Sequence, residues 1–198
     1  MSLDPRMPFG DWVRTRLFDQ RTVLVSGELD TDLATAAAAE LMTLDGEGDE
    51  LVTLHLDCSG GSLEAAFTLI DVVDLIGVPV HVVAVGRVAG PAVGILAVAD
   101  RRLALPHATF QLREPQSAYA GRPDDIAGWA AQYQRHVDHF VNRLARAVGR
   151  TEDEVAADLR AARHFDPEEA RAYGLVDEIV TGGGEVRRLP GRGFGFKA

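Results

Sequence analysis

Apolar runs alternate with turn residues along the first half of the chain, and each run has the length of one secondary-structure element. Continuous apolar segments bounded by turn residues predict buried strands at residues 22–27, 51–57 and 79–85. Helical patterns fill the intervals and predict helices from about 31 to 44, from Leu63 onward and over 91–99. This alternation predicts an α/β fold with a largely parallel sheet.

The second half of the chain is mainly helical. Two short strands are predicted at 102–105 and 108–112, followed by a long handle-like helix over about 124–148. Apolar residues recur along this helix every three or four positions, in one stripe made of Ile126, Trp129, Tyr133, Val137, Phe140 and Leu144. The run Thr151-Glu152-Asp153-Glu154 resembles a capping box and predicts a further helix, and the run from Asp166 predicts another that ends near Gly174.

Most of the 198 residues form one predicted domain. We expect three parts: an N-terminal segment, 1–20, that is partly mobile; a folded domain, 21–181; and a flexible tail rich in glycine and arginine, 182–198. Polar residues cover most of the long helix outside its apolar stripe, so this helix is expected to project and to pack against a neighbour.

The amino-acid composition limits the classes of binding partner and the cellular location that we expect for this chain. The net charge of −10 argues against binding to nucleic acid or to an anionic membrane. Cys58 is the single cysteine, so an internal disulfide is impossible and a reducing compartment is expected. No apolar run reaches membrane-spanning length, and the predicted location is cytoplasmic. No nucleotide-binding motif, metal site or other cofactor site is predicted.

Two glycine-rich turns stand where a strand meets a helix, the place where chemistry occurs in such folds. Gly60-Gly61 precedes a helix start, and its backbone N–H groups could form an oxyanion hole or an anion site; a plain tight turn is the alternative. The second turn, 86–94, has the form of a turn that presents a nucleophile, yet it holds no nucleophilic side chain.

Several short motifs follow one another in an order typical of one family. They are Ser59-Gly60-Gly61-Ser62, the turn 86–94, Ala104-Leu105-Pro106-His107-Ala108, Pro115, Gly121, Asp125-Ile126 and Glu169-Ala170-Arg171-Ala172-Tyr173-Gly174-Leu175-Val176-Asp177. Their order and spacing resemble ClpP, the proteolytic-subunit family of ATP-dependent Clp protease, over about residues 14–180. The resemblance implies a ClpP/crotonase-like spiral of repeated β-β-α units from which the long helix projects.

The resemblance implies a Ser-His-Asp triad, and none of its three members is present. The family serine aligns with Gly90, which has no side chain to attack a carbonyl. The family histidine aligns with Arg113, whose guanidinium stays protonated and cannot act as a base. The family aspartate aligns with Ala162, or with Arg163 across a one-residue gap. The chain is therefore predicted to be a catalytically inactive homologue.

One of the two oxyanion-hole donors that the resemblance implies is also missing. The amide of Gly61 is kept, whereas the second donor position is Pro91, which has no N–H. Loss of one such donor costs a serine protease about a hundredfold to a thousandfold in turnover. Proline suits the first position of a helix, so the fold is expected to tolerate it.

The resemblance also implies an oligomer whose rings meet through the long helix and the loop before it. In this chain that loop, 114–123, keeps only Gly121 of the glycines expected there, which puts ring pairing in question. We expect a homo-oligomer or a hetero-oligomer with an active relative. The family's aromatic positions for ATPase docking fall on Thr53 and His55, so docking by this chain is an open question.

Three functions are kept as alternatives. The first is a structural or regulatory subunit of a Clp-type assembly without catalytic activity. The second is a peptidase with a relocated nucleophile, Cys58 or Ser59, assisted by His55 or His107. The third is a module that holds an acyl or carboxylate ligand at the Gly61 helix start.

Two further side-chain pairings are kept as hypotheses. Arg113 could form an ion pair with Glu114 or with a neighbour's carboxylate. His136 and His139 could face the same way on the long helix, but a third metal ligand is not evident.

Overall fold

The computed structural model describes residues 11–117 and 122–181. Its helices are α1 (Asp11–Phe18), α2 (Thr31–Glu47), α3 (Leu63–Leu75), α4 (Ala92–Ala97), α5 (Pro123–Val148), α6 (Glu152–Arg160) and α7 (Pro167–Tyr173). Its strands are β1 (Thr22–Leu29), β2 (Val52–Gly61), β3 (Val80–Ala89), β4 (Arg101–Ala104), β5 (Thr109–Gln111), β6 (His164–Phe165) and β7 (Glu178–Ile179).

One mixed sheet forms the centre of the described structure. The strands lie in the order β1-β2-β3-β4-β7, and β5 pairs with the far end of β3 and with β6. Every pairing is parallel except that of β5 with β6. The predicted α/β fold with a largely parallel sheet is confirmed.

Helices α2 and α3 cover one face of this sheet. Along β2 the buried residues alternate with half-buried ones, so Val52, Leu54, Leu56 and Cys58 point to the covered face. The facing side chains of the helices are small or apolar, as the predicted periodicity requires: Ala34, Ala37, Leu41 and Leu44 from α2, and Leu63, Ala66, Leu69 and Ile70 from α3. This apolar layer is the core that fixes β2 and β3.

Strands β2 and β3 are longer than the sequence predicts. Gly60 and Gly61 belong to β2, because they pair with Glu28 and Leu29 of β1 beyond a register shift. Residues 87–89 belong to β3, because they pair with β5. Both extensions depend on partner strands that are distant in the sequence. The strand ends predicted from the local turn residues were therefore wrong.

Two helices also differ from the prediction. Helix α2 continues through Gly46 to Glu47, whereas the helix predicted from the sequence ended at about residue 44. The Asp45 carboxylate, in the last turn, accepts hydrogen bonds from the backbone N–H groups of Gly77 and Val78, at 2.9 and 3.1 Å. That anchor holds the glycine-containing turn helical. Within the segment 1–20, residues Asp11–Phe18 form α1, which packs against β1.

The long helix α5 confirms the prediction and is buried only in its second half. Phe140, Leu144 and Ala145 are buried, whereas Ile126 is 40% exposed. The helix ends at Gly149, whose φ of +68° is the left-handed conformation that favours glycine at a C-cap. The tail 182–198 and the loop residues 118–121 lie outside the described residues.

The motif 169–177 has a structural role at each of its key positions. Glu169 closes a capping box with Asp166, and Gly174 ends α7 with φ +95°. Asp177 accepts a hydrogen bond from the backbone N–H of Arg102 at 2.8 Å, which ties the segment to β4. Burial raises the pKa of the Asp177 carboxyl, but the hydrogen bonds from Arg102 outweigh it and lower the pKa overall. The motif therefore fixes the C-terminal segment against the sheet.

Candidate functional site

Gly90 lies in the sharp turn between β3 and α4. Its φ of +58° is left-handed, a conformation in which a residue with a side chain is strained. Its backbone N–H donates to the carbonyl oxygen of Gln111 at 3.0 Å, which joins the turn to β5. A strained strand-to-helix turn is the geometry that presents a nucleophile in hydrolases, and here it carries no side chain.

The Arg113 guanidinium reaches this turn from the segment after β5. A Cβ built on Gly90 would lie 4.0 Å from Arg113 Nη2, and a Cβ built on Gly60 would lie 2.9 Å from the same atom. The structure therefore brings together the two sequence-predicted positions 90 and 113, with Gly60 as a third neighbour. A side chain at 90 and one at 113 would be within reach of each other.

Within the described residues, the Arg113 guanidinium has no hydrogen-bond or ion-pair partner. Glu114, proposed above as its ion-pair partner, is exposed, and its backbone N–H donates to the carbonyl of Leu159 at 3.2 Å. An ion pair between these two neighbours is absent from the described part of the chain. The hypothesis of a local Arg113–Glu114 pair is wrong for the isolated chain.

Ala162 lies beside the same cluster. The backbone N–H of Leu112 donates to the carbonyl of Arg163 at 2.9 Å, and Gln111 Nε2 donates to the carbonyl of Ala162 at 3.4 Å. Residue 162 thus lies next to β5 and the segment after it, which carries Arg113. Arg163 points elsewhere, since its guanidinium pairs with Asp158 at 3.1 Å and lies over the Phe165 ring.

The two oxyanion-hole positions, Gly61 and Pro91, directly follow Gly60 and Gly90 in the sequence and differ in backbone geometry. Gly61 has φ +141°, and a Cβ built on it would lie 2.7 Å from the Cα of Leu29 in β1, so only glycine fits there. Pro91 has φ −58° and ψ −27° and takes the N-cap position, one residue before the helix that was predicted to begin with it. The predicted helix 91–99 is shorter, Ala92–Ala97.

Gln111 is a site residue that the sequence reasoning missed. It is one of two buried polar residues among those described, and its side-chain oxygen accepts from Arg87 Nη2 at 2.8 Å. Through its other contacts it connects Gly90 to Ala162. The signal in the sequence was a single amide side chain within the apolar run 108–112.

Cys58 is a buried and unreactive thiol. It is 0% exposed, and its Sγ lies 3.7 Å from the carbonyl oxygen of Val25. Burial, with a smaller contribution from Asp57, raises the pKa of the thiol to about 12, so the nucleophilic thiolate is absent near neutral pH. His55 lies three positions earlier on β2 and therefore on the opposite face of the sheet. The geometry gives no support to a Cys58–His55 pair.

Ser59 and the other candidate histidines do not lie together as members of a catalytic triad. Ser59 and His107 are exposed. His136 and His139 line a groove of about 830 Å³ between α3 and α5, where the His136 ring lies 5.8 Å from that of Phe67. Over residues 11–117 and 122–181, no group of three or more ligand side chains is arranged to hold a metal ion.

Thr53 and His55 lie on the face of β2 that the helices leave uncovered. Both are half-buried, and their partners across the strand pair are His81 and Val83 of β3. Burial lowers the pKa of His55 and of His81. Among the described helices, none has the length and apolar character needed to cross a membrane.

Comparisons with known proteins place the chain in one family. The family model described as Clp protease matches residues 10–183. ATP-dependent Clp protease proteolytic subunit 3 of Streptomyces avermitilis is 30% identical over 93% of this chain and 84% of its own length. The subunit of the same name from Rhodococcus jostii is 31% identical over 92% of each chain.

A solved structure agrees with this assignment. A ClpP1 mutant from Listeria monocytogenes superposes with a TM-score of 0.78 at 26% identity, over 86% of this chain and 97% of its own. The family model, which matches residues 10–183, spans all the motifs on which the resemblance was based. On this evidence the chain belongs to the Clp protease family, as a ClpP-like proteolytic-subunit homologue.

Proposed function

We propose that this chain is a catalytically inactive ClpP-like subunit that serves as a structural or regulatory member of an oligomeric Clp-type assembly. One observation carries the proposal. The Cβ position of residue 90 lies 4.0 Å from Arg113 Nη2, so side chains at these two positions are neighbours, as a nucleophile and its base must be. The residues at these two positions have neither function.

The neighbouring positions support the same conclusion. Ala162, beside the segment that carries Arg113, has no carboxylate to orient a base. Pro91 has no N–H for an oxyanion. At the four positions where the resemblance places groups of a serine-protease site, none of those groups is present.

The long helix supports a role in an assembly. Members of the Clp protease family form oligomeric assemblies. In α5 the apolar stripe continues into the exposed half, where Trp129 stacks on Tyr133 with ring centroids 5.2 Å apart and Ile126 is 40% exposed. An exposed apolar stripe of this kind is stabilised by a partner surface. The partner is a second copy of this chain or an active relative.

The direct test is peptidase activity on a short fluorogenic peptide. The purified chain is compared with a restored variant that carries Gly90→Ser, Pro91→Met, Arg113→His and Ala162→Asp. We expect a silent wild type and measurable turnover in the restored variant. A matched control that keeps Arg113 and carries the other three substitutions should remain silent, because the serine has no base.

Two results would contradict the proposal. Wild-type activity that co-elutes with the folded chain and survives the Arg113→Gln substitution would indicate a nucleophile elsewhere, with exposed Ser59 as the first residue to replace. Failure of the chain to associate, by native mass spectrometry, either with itself or with an active Clp protease subunit from the same cell would remove the assembly role.

A further inference from the structure

The unpaired guanidinium of Arg113 is the feature of this site that the proposed function leaves unused. Arg113 is half-buried, and its Nη2 lies beside Gly60 and Gly90, two residues without side chains. Within the described part of the chain this guanidinium has neither a carboxylate nor a carbonyl partner. A half-buried cation without such a partner keeps its N–H donors available to an incoming group.

The other arginines near the cluster are already engaged. Arg87 donates to the side-chain oxygen of Gln111 at 2.8 Å. Arg163 pairs with Asp158 and lies over an aromatic ring. Among residues 11–117 and 122–181, the cluster therefore offers one free positive charge, and the chain as a whole carries a net charge of −10. A dianion such as phosphate would meet one cation and a repulsive surrounding field.

We infer that Arg113 is a binding site for a single carboxylate, carried by a peptide. A guanidinium presents two parallel N–H donors that match the two oxygens of a carboxylate. The absence of a side chain at Gly60 lets the guanidinium pack close to that residue, which holds it in place beside the turn at Gly90. Peptide-bond hydrolysis creates one new C-terminal carboxylate for each bond cleaved, so a peptidase acting beside this chain would supply such ligands.

This inference goes beyond the proposed function, and it moves the carboxylate hypothesis from the Gly61 helix start to Arg113. It requires neither activity nor a partner subunit. If the chain proved to be an active peptidase, the proposed function would fail while the binding result would stand. If Arg113 bound no carboxylate, the role as an inactive subunit would be unaffected.

The test is a binding titration by calorimetry with three acetylated tetrapeptides. The first is tetra-alanine with a free C-terminal carboxylate, the second is its C-terminal amide, and the third is an amide that carries one internal aspartate. We expect the acid to bind at least about tenfold more tightly than the plain amide, as for a charge-assisted pair. Binding of the third peptide decides whether side-chain carboxylates are also accepted.

Variants assign the binding to the guanidinium. Arg113→Gln should abolish the preference for the acid, and Arg113→Lys should keep part of it, since the charge remains but the two-pronged geometry is lost. Gly60→Ala should weaken acid binding as well, because its Cβ would take a position 2.9 Å from Nη2 and displace the guanidinium. Arg146→Gln removes an exposed charge on α5 and should leave the titration unchanged.

Three outcomes would overturn the inference, provided that circular dichroism shows each variant to be folded. They are equal binding of the acid and the plain amide, a preference for the acid that survives Arg113→Gln, and no binding of any carboxylate peptide up to about 10 mM. Gly60→Ala retains Arg113 and only displaces its guanidinium. Loss of acid binding in a folded Gly60→Ala variant would therefore result from the changed position of the guanidinium and not from unfolding.

Discussion

The hydroxyl of Tyr173 donates a hydrogen bond to Asp158 Oδ2 at 2.7 Å. The same carboxylate pairs with Arg163, so one acidic side chain of α6 joins α7 to the segment beside Ala162. Burial, followed by the hydrogen bond to Asp158, raises the pKa of Tyr173, which keeps the hydroxyl protonated as a donor. Tyr173, in the motif 169–177, thus supports the segment that borders the candidate site.

We predict opposite effects for two Tyr→Phe substitutions. Tyr173→Phe should reduce the free energy of unfolding by about 1 kcal/mol, because it removes a hydrogen bond. Tyr133 Oη is buried and has no partner among the described residues, so Tyr133→Phe should be neutral or stabilising in the isolated chain. Urea unfolding of both variants measures the difference. A larger loss from Tyr133→Phe would show that its hydroxyl has a partner in solution.

Two Gly→Ala substitutions test the strain in the turn. Gly90→Ala places a Cβ on a residue with φ +58° and should cost about 1–2 kcal/mol of stability. Gly46→Ala, in α2 with open space around its Cβ, should add about 0.5–1 kcal/mol through helix propensity. Thermal unfolding of the two variants should therefore move in opposite directions. A stabilising Gly90→Ala would contradict the left-handed turn.

A second pair of Gly→Ala substitutions tests the packing of α4 against α5. A Cβ on Gly94 would lie 2.7 Å from Phe140 Cε2 and 2.9 Å from Ile70 Cδ1, so Gly94→Ala should overpack the contact and cost about 1–3 kcal/mol. Gly128→Ala lies in the exposed half of α5 with nothing within 4 Å and should stabilise the helix. Chemical unfolding followed by tryptophan fluorescence distinguishes them. Equal effects of the two substitutions on the free energy of unfolding would contradict the close packing of α5 against Gly94 in α4.

Cys58 should resist alkylation as long as the chain is folded. The thiol is 0% exposed and its pKa is raised to about 12. We expect negligible reaction with iodoacetamide at about pH 8 in buffer and complete reaction in urea, read by mass spectrometry. Rapid stoichiometric labelling of the folded chain would revive the relocated-nucleophile hypothesis.

His55 should make stability fall as the pH is lowered. Burial lowers its folded-state pKa below the ordinary value of 6.5, so the unfolded chain binds more protons in that interval. The contribution of His55 is present above about pH 6.5 and is lost as the pH falls to the folded-state pKa. His55→Gln should flatten the dependence of the free energy of unfolding on pH below about 6.5. Identical slopes in wild type and variant would show that His55 does not contribute.

The local sequence was sufficient for the order of most elements and for several residues of the candidate site. Continuous apolar runs predicted β1 to β3 and periodicity predicted α5, because burial on a strand or a helix imposes its own spacing on the chain. A capping-box pattern predicted α6. Gly90 has no side chain, Pro91 has no N–H and Arg113 carries a protonated guanidinium, so these residues cannot themselves act as a nucleophile, an amide donor or a base. That they occupy the family's catalytic positions is implied by the resemblance and stays a prediction.

Only the tertiary structure decided where the strands end and which groups meet. Gly60, Gly61 and residues 87–89 are strand residues because partners distant in the sequence pair with them. The place of Arg113 between Gly60 and Gly90, and the link from Gln111 to Ala162, depend on the same long-range pairing. The burial of Cys58, which removes its reactivity, follows from helices packed on one face of β2. Local propensity does not carry such information, because these contacts join segments that are separated along the chain.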